Sequence, residues 1–483
     1  MINVLLIGVG LHARRAHLPA LVGLRAHRPV AVRAVVDLAE RSAGITAHLD
    51  DLGLTDVEVI AFDKALGSAA PSLDRRELAL LDDVVGRLSI DAVVVSTEPL
   101  AHRGYVEWAL RRGLSVLIDK PVTARAGMVS SAEAARGTLT DFDGLNALHR
   151  ASGRPDQIAG VVAHRRYHPG FRRVRELIAE VFEATGCPVT TVNAEYGDGE
   201  WRMPWEVYEQ EYHPFSLGYG MLAHSGYHAY DTAAWLADTT RLGSPGPDEL
   251  TITSQFVTPA DYLAQLPYPL LERALGALPV GERELERIAA KTPDHHMGEV
   301  DAHAMAALRR DGRTLTSINL HTVHCSLSAR AWASPGGRNL YTSNGRVKQE
   351  TYTIKQGPFQ SIKVALWQSA PDWDRDYLPL HEIGGDRHCE IHVFRNQNLR
   401  KDWKSHEAIS LADLETVTDQ QLAVGPGKLT ITGEFLDAVA GRIPADRLAS
   451  PLASHRLATA MVAGAYESWA TRDSARGPVA IAL

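Results

Sequence analysis

The amino-terminal stretch constrains the fold of this chain more than any other. Residues 2 to 7 are apolar except for Asn3, which predicts a buried strand. A glycine-rich turn comes next, with the sequence Gly8-Val9-Gly10-Leu11-His12-Ala13. In a dinucleotide-binding turn, Gly8 would permit the tight bend, Gly10 would let the backbone approach a pyrophosphate, and Ala13 would let the following helix pack closely. Any glycine-rich turn between a strand and a helix looks similar, so this motif alone does not identify a dinucleotide site. The residues that follow it have to be considered as well.

Apolar strands alternate with helical stretches as far as residue 120. Strands are predicted at Val30–Val36, Val57–Phe62, 91–97 and 115–118, and helices at Leu78–Leu88 and Ala101–Arg112. Such alternation predicts an α/β domain with a doubly wound, parallel Rossmann sheet. Right-handed crossovers would then place Gly8, Asp37, Thr97 and Lys120 along one edge of that sheet.

The acidic residue at the end of the second strand bears on the choice of cofactor. Asp37 can bind the 2′-hydroxyl of a ribose and would repel a 2′-phosphate, which favours NAD over NADP. Arg41 lies close by in sequence and could reverse that preference.

A lysine follows the fifth predicted strand. Ser115 to Ile118 are apolar or small, and Asp119-Lys120-Pro121 comes directly after them. Because proline cannot continue a central strand, the strand is expected to end there. Lys120 would then lie at the carboxyl edge of the sheet, where open parallel sheets bind their ligands.

Beyond Pro121 the pattern changes to that of a second domain. Residues 124–150, 171–182 and 221–237 predict helices, and 161–167 and 189–196 predict strands. Alternating patterns within 315–333, 340–354, 361–369 and 389–394 add further strands before helices at 429–440 and 453–470. We therefore expect a Rossmann domain at 1–123 and an α+β domain at 124–483 with a large, mostly antiparallel sheet. Insertions are expected near 197–217, 245–300 and 370–425.

Four side chains near the middle of the chain share a helical spacing. His224, His228, Asp231 and Trp235 fall at i, i+4, i+7 and i+11, which predicts one face of a helix. A zinc-protease helix would need glutamate after the first histidine, where Ser225 stands, so no metal site is expected. Two histidines and an aspartate on one face favour a functional role over a purely structural one.

Composition excludes several classes of protein. The chain has 483 residues, a net charge of -8 and three widely spaced cysteines. The charge disfavours a nucleic-acid partner, and the cysteines suit a reducing compartment. No apolar run is long enough to span a bilayer, and the chain opens directly into a strand without a leader, so a cytoplasmic protein is expected.

Several motifs, taken in order, resemble one known family. They are Gly8-Val9-Gly10 with His17-Leu18-Pro19, Ser96-Thr97-Glu98-Pro99 with His102, Lys120-Pro121, Arg165-Arg166-Tyr167 with Pro169, Gly226 with His228 and Asp231, and Glu434-Phe435-Leu436 with Pro451. In these features the chain resembles the glucose–fructose oxidoreductase, inositol dehydrogenase and MocA-like (Gfo/Idh/MocA) family of NAD(P)-dependent oxidoreductases. The resemblance covers most of the chain outside the three expected insertions.

The resemblance implies roles for individual residues. Lys120 and His228 would be catalytic, and His224 stands where the family commonly has an aspartate. Asp119 stands where the family usually has a glutamate. The cofactor is expected to contact Gly8, Gly10, Leu11, His12, Ala13, Asp37, Ser96, Thr97, Glu98, His102, Asp119, Lys120 and Pro121. The substrate is expected to contact Arg165, Tyr167, Trp205, Tyr212 and Asp231. For Trp205 and Tyr212 this expectation comes from their place in the aromatic insertion before the histidines, and a local hydrophobic core is the open alternative to a wall for the substrate ring.

The expected activity is hydride transfer between NAD and a ring hydroxyl or ketone of a sugar-like or cyclitol substrate. His228, with an ordinary pKa near neutrality, suits the proton transfer, and a charged Lys120 suits stabilisation of the substrate oxygen. Both side chains are expected to approach that oxygen. Two alternatives stay open: a redox-assisted lyase or epimerase that retains NAD, and a non-catalytic nucleotide-binding regulator. Because a large open sheet needs covering, a homo-oligomer, dimer or tetramer, is expected.

Overall fold

The structure is a computed structural model in which the chain forms two compact units. It describes residues 1–63, 72–199, 201–210, 213–239, 246–291, 293, 296–325, 347–369, 388–414, 424–474 and 477–483. One unit consists of Met1–Ala126, Gly137–His168 and Thr418–Thr459, and the other of Gly127–Arg136, Pro169–Val417 and Ala460–Leu483. The boundary expected at residue 123 and the expected insertions stay predictions.

The first unit contains a six-stranded parallel sheet in the order β3-β2-β1-β4-β5-β6. Its strands are β1 (Ile2–Ile7), β2 (Val30–Leu38), β3 (Glu58–Phe62), β4 (Ala92–Val95), β5 (Ser115–Ile118) and β6 (Ala159–Val161). Its helices are α1 (Leu18–Leu24), α2 (Ser42–Asp51), α3 (Arg75–Leu88), α4 (Pro99–Arg111) and α5 (Ala132–Ala151). This order is that of a Rossmann fold, with ligands expected where it reverses, between β1 and β4. The predicted α/β class and parallel sheet are confirmed.

Two apolar layers cover the two faces of this sheet. One contains Leu5, Val93 and Val116 with helices α3 and α4, and the other contains Val4, Val94 and Leu117. The second layer also takes in Phe435 and Leu436 from a late helix at Val424–Val439. Strands buried on both faces read as continuous apolar runs, which explains why the sequence predicted them well.

The second unit contains a nine-stranded sheet in the order β14-β13-β12-β11-β7-β10-β9-β8-β15. Its strands are β7 (Thr191–Gly197), β8 (Glu249–Val257), β9 (Asp301–Arg310), β10 (Arg313–Val323), β11 (Val347–Gln356), β12 (Gln360–Ser369), β13 (Cys389–Arg395), β14 (His406–Ser410) and β15 (Val479–Ala482). Among these strands β7 and β10 pair in parallel, and the other neighbours are antiparallel. The predicted large, mostly antiparallel sheet is confirmed.

Several helices lie between the strands of this sheet in the sequence. Those of the second unit are α6 (Pro169–Thr185), α7 (Pro204–Glu209), α8 (Tyr227–Asp238), α9 (Pro259–Gln265), α10 (Tyr268–Leu275) and α11 (Glu282–Ala289). The late helix of the first unit, Val424–Val439, is α12, and α13 (Arg456–Ala470) runs from the first unit into the second. No helix in the described ranges is long and apolar enough to cross a membrane.

Two local predictions were wrong. The stretch 161–167 is not one strand, because β6 ends at Val161 and His164–Tyr167 form a short 3₁₀ turn. The helix predicted from residue 221 begins only at Tyr227, after Gly226. A side chain at Gly226 would lie 2.9 Å from the carbonyl oxygen of Met221, so this position needs glycine. His224 therefore lies in the turn before the helix, and Tyr212 lies outside the described residues.

Candidate active site

The glycine turn fits a dinucleotide. Gly8 has a φ of +89°, and a Cβ there would lie 2.5 Å from the carbonyl oxygen of Ser96, so only glycine is accommodated. A Cβ at Gly10 would meet nothing within 4 Å, which leaves open space beside that backbone. Ala13 is fully buried, as close packing of helix and strand requires. The turn thus leaves room where a pyrophosphate would approach.

Asp37 is tied to this turn. One of its carboxylate oxygens accepts a hydrogen bond of 2.6 Å from the backbone N–H of Val9, and the other accepts one of 2.7 Å from Leu38. The nearest guanidinium nitrogen of Arg41 lies 3.9 Å from Asp37. A single carboxylate therefore shapes the turn and stands at the end of β2, where a ribose would bind.

Asp119 is held from two sides directly after β5. Its Oδ1 accepts a hydrogen bond of 2.9 Å from Nε2 of His17, and its Oδ2 accepts one of 2.6 Å from Oγ of Ser96. Burial acts to raise the pKa of Asp119, but His12, His17 and Ser96 outweigh it and hold that pKa well below its usual range. The residue before Lys120 is therefore a fixed carboxylate.

Two histidines lie beside Asp119: His17 ends a π-helical turn at Ala13–His17, and His12 directly precedes that turn. Their rings stack with centroids 5.2 Å apart and planes 16° from parallel. Within the described ranges, His12, His17 and Asp119 are the group of possible metal ligands whose atoms lie within 4.8 Å of one another. Both oxygens of the Asp119 carboxylate already accept hydrogen bonds, which favours a hydrogen-bonded cluster over a metal site.

His102 contacts Pro121, the residue that follows Lys120. Its Nδ1 lies 2.8 Å from the carbonyl oxygen of Pro121, and its Nε2 lies 3.1 Å from that of Thr97. Burial lowers the pKa of His102. Glu98 accepts a hydrogen bond from the N–H of Leu100 and so caps helix α4. Hydrogen bonds thus join Ser96 to Asp119, and His102 to both Thr97 and Pro121, at the carboxyl edge of the first sheet.

In the second unit, His224 lies among aromatic rings. The ring of His213 stacks on it with centroids 5.0 Å apart, and Phe215 meets it edge-on. The Nδ1 of His224 accepts the backbone N–H of Ser225 at 2.9 Å. His213 has a φ of +53° although it is not glycine and precedes a proline. Such strain at a non-glycine residue is a feature of functional sites.

His228 and Asp231 lie within helix α8. His228 is in its first turn, and both side chains are buried. The structure thus confirms that these two residues share a helix, while His224 precedes it.

A buried polar chain, which the sequence did not reveal, supports the turn that carries His224. Nδ1 of His324 lies 2.9 Å from Oδ2 of Asp198, and the Oγ of Ser225 donates to the same oxygen at 3.3 Å. Nε of Arg202 donates to Nε2 of His324 at 2.9 Å. Asp198 and His324 directly follow β7 and β10, so only knowledge of that strand pairing would have brought them together.

Glu299 supports the same turn from another side. Its Oε1 accepts hydrogen bonds from the N–H of Leu222 at 2.7 Å and from the hydroxyl of Tyr466 at 2.9 Å. Glu299 is fully buried, and burial raises its pKa to about 7.

The residues expected to contact the substrate have varied surroundings. Arg165 is buried, and the hydroxyl of Tyr167 donates to Glu434. Trp205 packs in an apolar cluster with Leu285 and Ile288. This packing agrees with the alternative that Trp205 belongs to a local hydrophobic core and does not line the substrate site. Contact between these residues and the substrate stays a prediction.

Comparison with known proteins agrees with this geometry. Residues 2–137 match the model of the "Oxidoreductase family, NAD-binding Rossmann fold". A comparison with curated protein sequences gave no match.

Solved structures with the same fold cover the whole chain. An oxidoreductase from Agrobacterium radiobacter in complex with NAD+, L-tartaric acid and magnesium is 12% identical, with a TM-score of 0.54 over 100% of this chain and 98% of that one. GenD2 from gentamicin A biosynthesis, in complex with NAD, is 17% identical, with a TM-score of 0.52 over 100% and 96%. The myo-inositol dehydrogenase from Lactobacillus casei is 14% identical, with a TM-score of 0.51 over 100% and 97%. At these identities the likeness establishes the fold.

The family match covers the domain that carries the glycine turn, Asp37 and Lys120. The amino-terminal domain of the chain therefore matches the NAD-binding Rossmann domain of the Gfo/Idh/MocA oxidoreductase family.

Proposed function

We propose that the protein transfers hydride between NAD and a ring hydroxyl or ketone of a sugar-like or cyclitol substrate. In this proposal Lys120 stabilises the charge on the substrate oxygen and His228 exchanges its proton. A preorganised cation is most effective where charge develops in the transition state. An imidazole is the side chain whose ordinary pKa best suits proton transfer near neutral pH.

The observation that carries the proposal is the anchoring of the lysine segment. Asp119 is held by His17 and Ser96, and Pro121 is held by His102. Lys120 lies between them at the sheet edge that also carries the glycine turn. A side chain that must meet a reacting atom needs such a fixed backbone, because a small misplacement costs much of the rate.

Bound NAD would supply the hydride acceptor, and the chain supplies position and electrostatic field. Asp37 would bind the ribose, and the open backbone at Gly10 would face the pyrophosphate. His228 would take the hydroxyl proton during oxidation and return it during reduction.

The substrate class follows from the family resemblance and from proteins of the same fold. One of these, the myo-inositol dehydrogenase from Lactobacillus casei, was solved with NAD(H) and myo-inositol. We also propose that the chain acts as a homo-oligomer, because strand β9 exposes His303 and Met305 on an open sheet face.

A substrate screen tests this proposal. Purified protein is incubated with NAD and a panel of sugars, nucleotide sugars and cyclitols, and NADH formation is followed by absorbance. Turnover of at least one ring alcohol that falls sharply in Lys120→Ala supports the proposal. If no alcohol reduces NAD and the protein instead retains NAD through purification, the redox-assisted lyase or epimerase alternative is favoured.

A further inference from the structure

We propose that His17 is a positioning residue for the reaction: it fixes the carboxylate of Asp119 and, through the chain, the backbone that carries Lys120. This inference rests on the proposed function, since it assumes that Lys120 acts on the substrate. His17 itself lies in the turn after the glycine-rich loop and belongs to neither the phosphate-binding glycines nor the lysine segment.

The local geometry is unusual. Residues Ala13–His17 form a π-helical turn, in which the N–H of Leu18 donates to the carbonyl oxygen of Ala13, five residues back. π-turns are rare, and they are frequently found at functional sites. Here the wider turn brings His12 and His17, five residues apart, into a stack and leaves Nε2 of His17 2.9 Å from Asp119.

The direction of this hydrogen bond follows from the partners. An ionised carboxylate only accepts hydrogen bonds, so Nε2 of His17 carries the hydrogen. Ser96 donates to the other carboxylate oxygen, and the backbone N–H of Asp119 donates to Val95 at 2.9 Å. Three bonds therefore determine where Asp119 lies, and His17 makes one of the two to its side chain.

The position of Asp119 matters because of its neighbour. Lys120 follows it directly, and the carbonyl of the next residue, Pro121, is held by His102. Removing His17 would remove one of the three bonds that hold Asp119 at the amino-terminal end of this segment, and it would leave the bond to Pro121 at the other end in place. We expect the position of the Lys120 side chain to become less well defined while the segment stays folded.

The charged groups around Asp119 come from three elements. His17 faces it from the π-turn and His12 from the residue before that turn, His102 interacts with it from α4, and Lys120 follows it in the chain. Asp119 is only 7% exposed, so its charge depends on these partners. Loss of the His17 hydrogen bond raises the pKa of a buried carboxylate, because burial disfavours the ionised form.

The experiment compares His17→Ala, His17→Gln and the control His27→Ala. His27 is an exposed histidine of the same unit, and glutamine can place an N–H where Nε2 of His17 lies. We expect His17→Ala to lower kcat on the alcohol found in the screen by about 10- to 100-fold. The dissociation constant for NAD should change far less. The acid limb of the kcat profile should move to higher pH, His17→Gln should recover much of the loss, and His27→Ala should match the wild type.

A second measurement needs no substrate. In protein labelled with ¹³C at aspartate carboxyls and assigned with Asp119→Asn, the Asp119 signal should stay that of a carboxylate at acidic pH, and should titrate at higher pH in His17→Ala. An unchanged titration overturns the electrostatic part of the proposal. Unchanged kcat in His17→Ala overturns the positioning role. A stoichiometric divalent metal that the wild type binds and His17→Ala does not bind would also overturn it, because His17 would then be a metal ligand. Full activity in Lys120→Ala would instead refute the proposed function.

Discussion

Nδ1 of His324 lies 2.9 Å from Oδ2 of Asp198, and both side chains are almost completely buried. The two residues follow β10 and β7, which are paired in parallel, so the strand ends bring them side by side. Ser225 donates to the same carboxylate and lies next to His224. The pair therefore links the sheet of the second unit to the turn that carries His224.

Removing the imidazole should destabilise this unit. His324→Ala leaves the buried carboxylate of Asp198 without one of its donors, and a hydrogen bond to a charged group contributes about 1.5–3 kcal/mol. We expect a loss of that order in the free energy of unfolding, measured by urea denaturation. Asp198→Asn keeps an acceptor for His324 and should lose less. Equal losses in the two variants would argue against a charge-assisted bond.

Asp37 should determine the choice of cofactor. Asp37→Ala removes the charge that would repel a 2′-phosphate, and it also removes the acceptor for the N–H of Val9. We expect the difference between the dissociation constants for NAD and NADP to become smaller. We also expect NAD itself to bind more weakly. Asp37→Asn keeps an acceptor without the charge, so it should narrow the preference with a smaller loss of NAD affinity. Titration of both cofactors measures this, and tighter NADP binding by the wild type would contradict it.

Glu299 should make stability depend on pH. Its pKa is raised from 4.5 to about 7 by burial, so the folded state holds more protons than the unfolded state between those values. The stability contributed by this group is therefore fully present below pH 4.5, falls as the pH rises from 4.5 to about 7, and is lost above that value. The shift corresponds to a loss of about 3 kcal/mol.

The matched variant for this group is Glu299→Gln. Its amide oxygen can accept the hydrogen bonds from Leu222 and Tyr466 without carrying a charge. We expect the variant to gain stability relative to the wild type on going from pH 5 to pH 8, as measured by denaturant unfolding at both values. Parallel pH dependence in the two proteins would show that Glu299 does not titrate in this window.

The open face of the second sheet should mediate self-association. Met305 on β9 is 69% exposed and lies on the sheet face that we propose is covered in a homo-oligomer. Met305→Glu should shift the molar mass measured by light scattering toward that of a monomer. The exposed Arg33→Glu, in the first unit, should leave it unchanged. A wild-type protein that is monomeric would disprove the proposal.

The sequence predicted the first unit better than the second. Strands such as Ala92–Val95 and Ser115–Ile118 are buried on both faces, so they read as continuous apolar runs. The start of helix α8 was missed because the residues before Gly226 have helical spacing but form a turn. Their close contacts at Gly226 depend on tertiary packing.

The polar chain of the second unit could not be predicted for a different reason. Asp198 and His324 are 126 residues apart in the chain and meet only because β7 and β10 pair in parallel. The cluster around Asp119 was partly predictable, since Ser96, His102 and Asp119 were all expected to contact the cofactor. The role of His17 depends on a π-turn, which no sequence pattern indicated.

The central claim is that Lys120 and His228 act together on one substrate oxygen. Its most direct test is a double-mutant cycle in which kcat and the NAD dissociation constant are measured for Lys120→Ala, His228→Ala and the double variant. Each single variant should lose about 10²–10⁴-fold in kcat while still binding NAD. The double variant should lose little more than the worse single one, because groups that act on one proton behave as a unit. Full turnover by His228→Ala, or losses that simply multiply, would contradict the account.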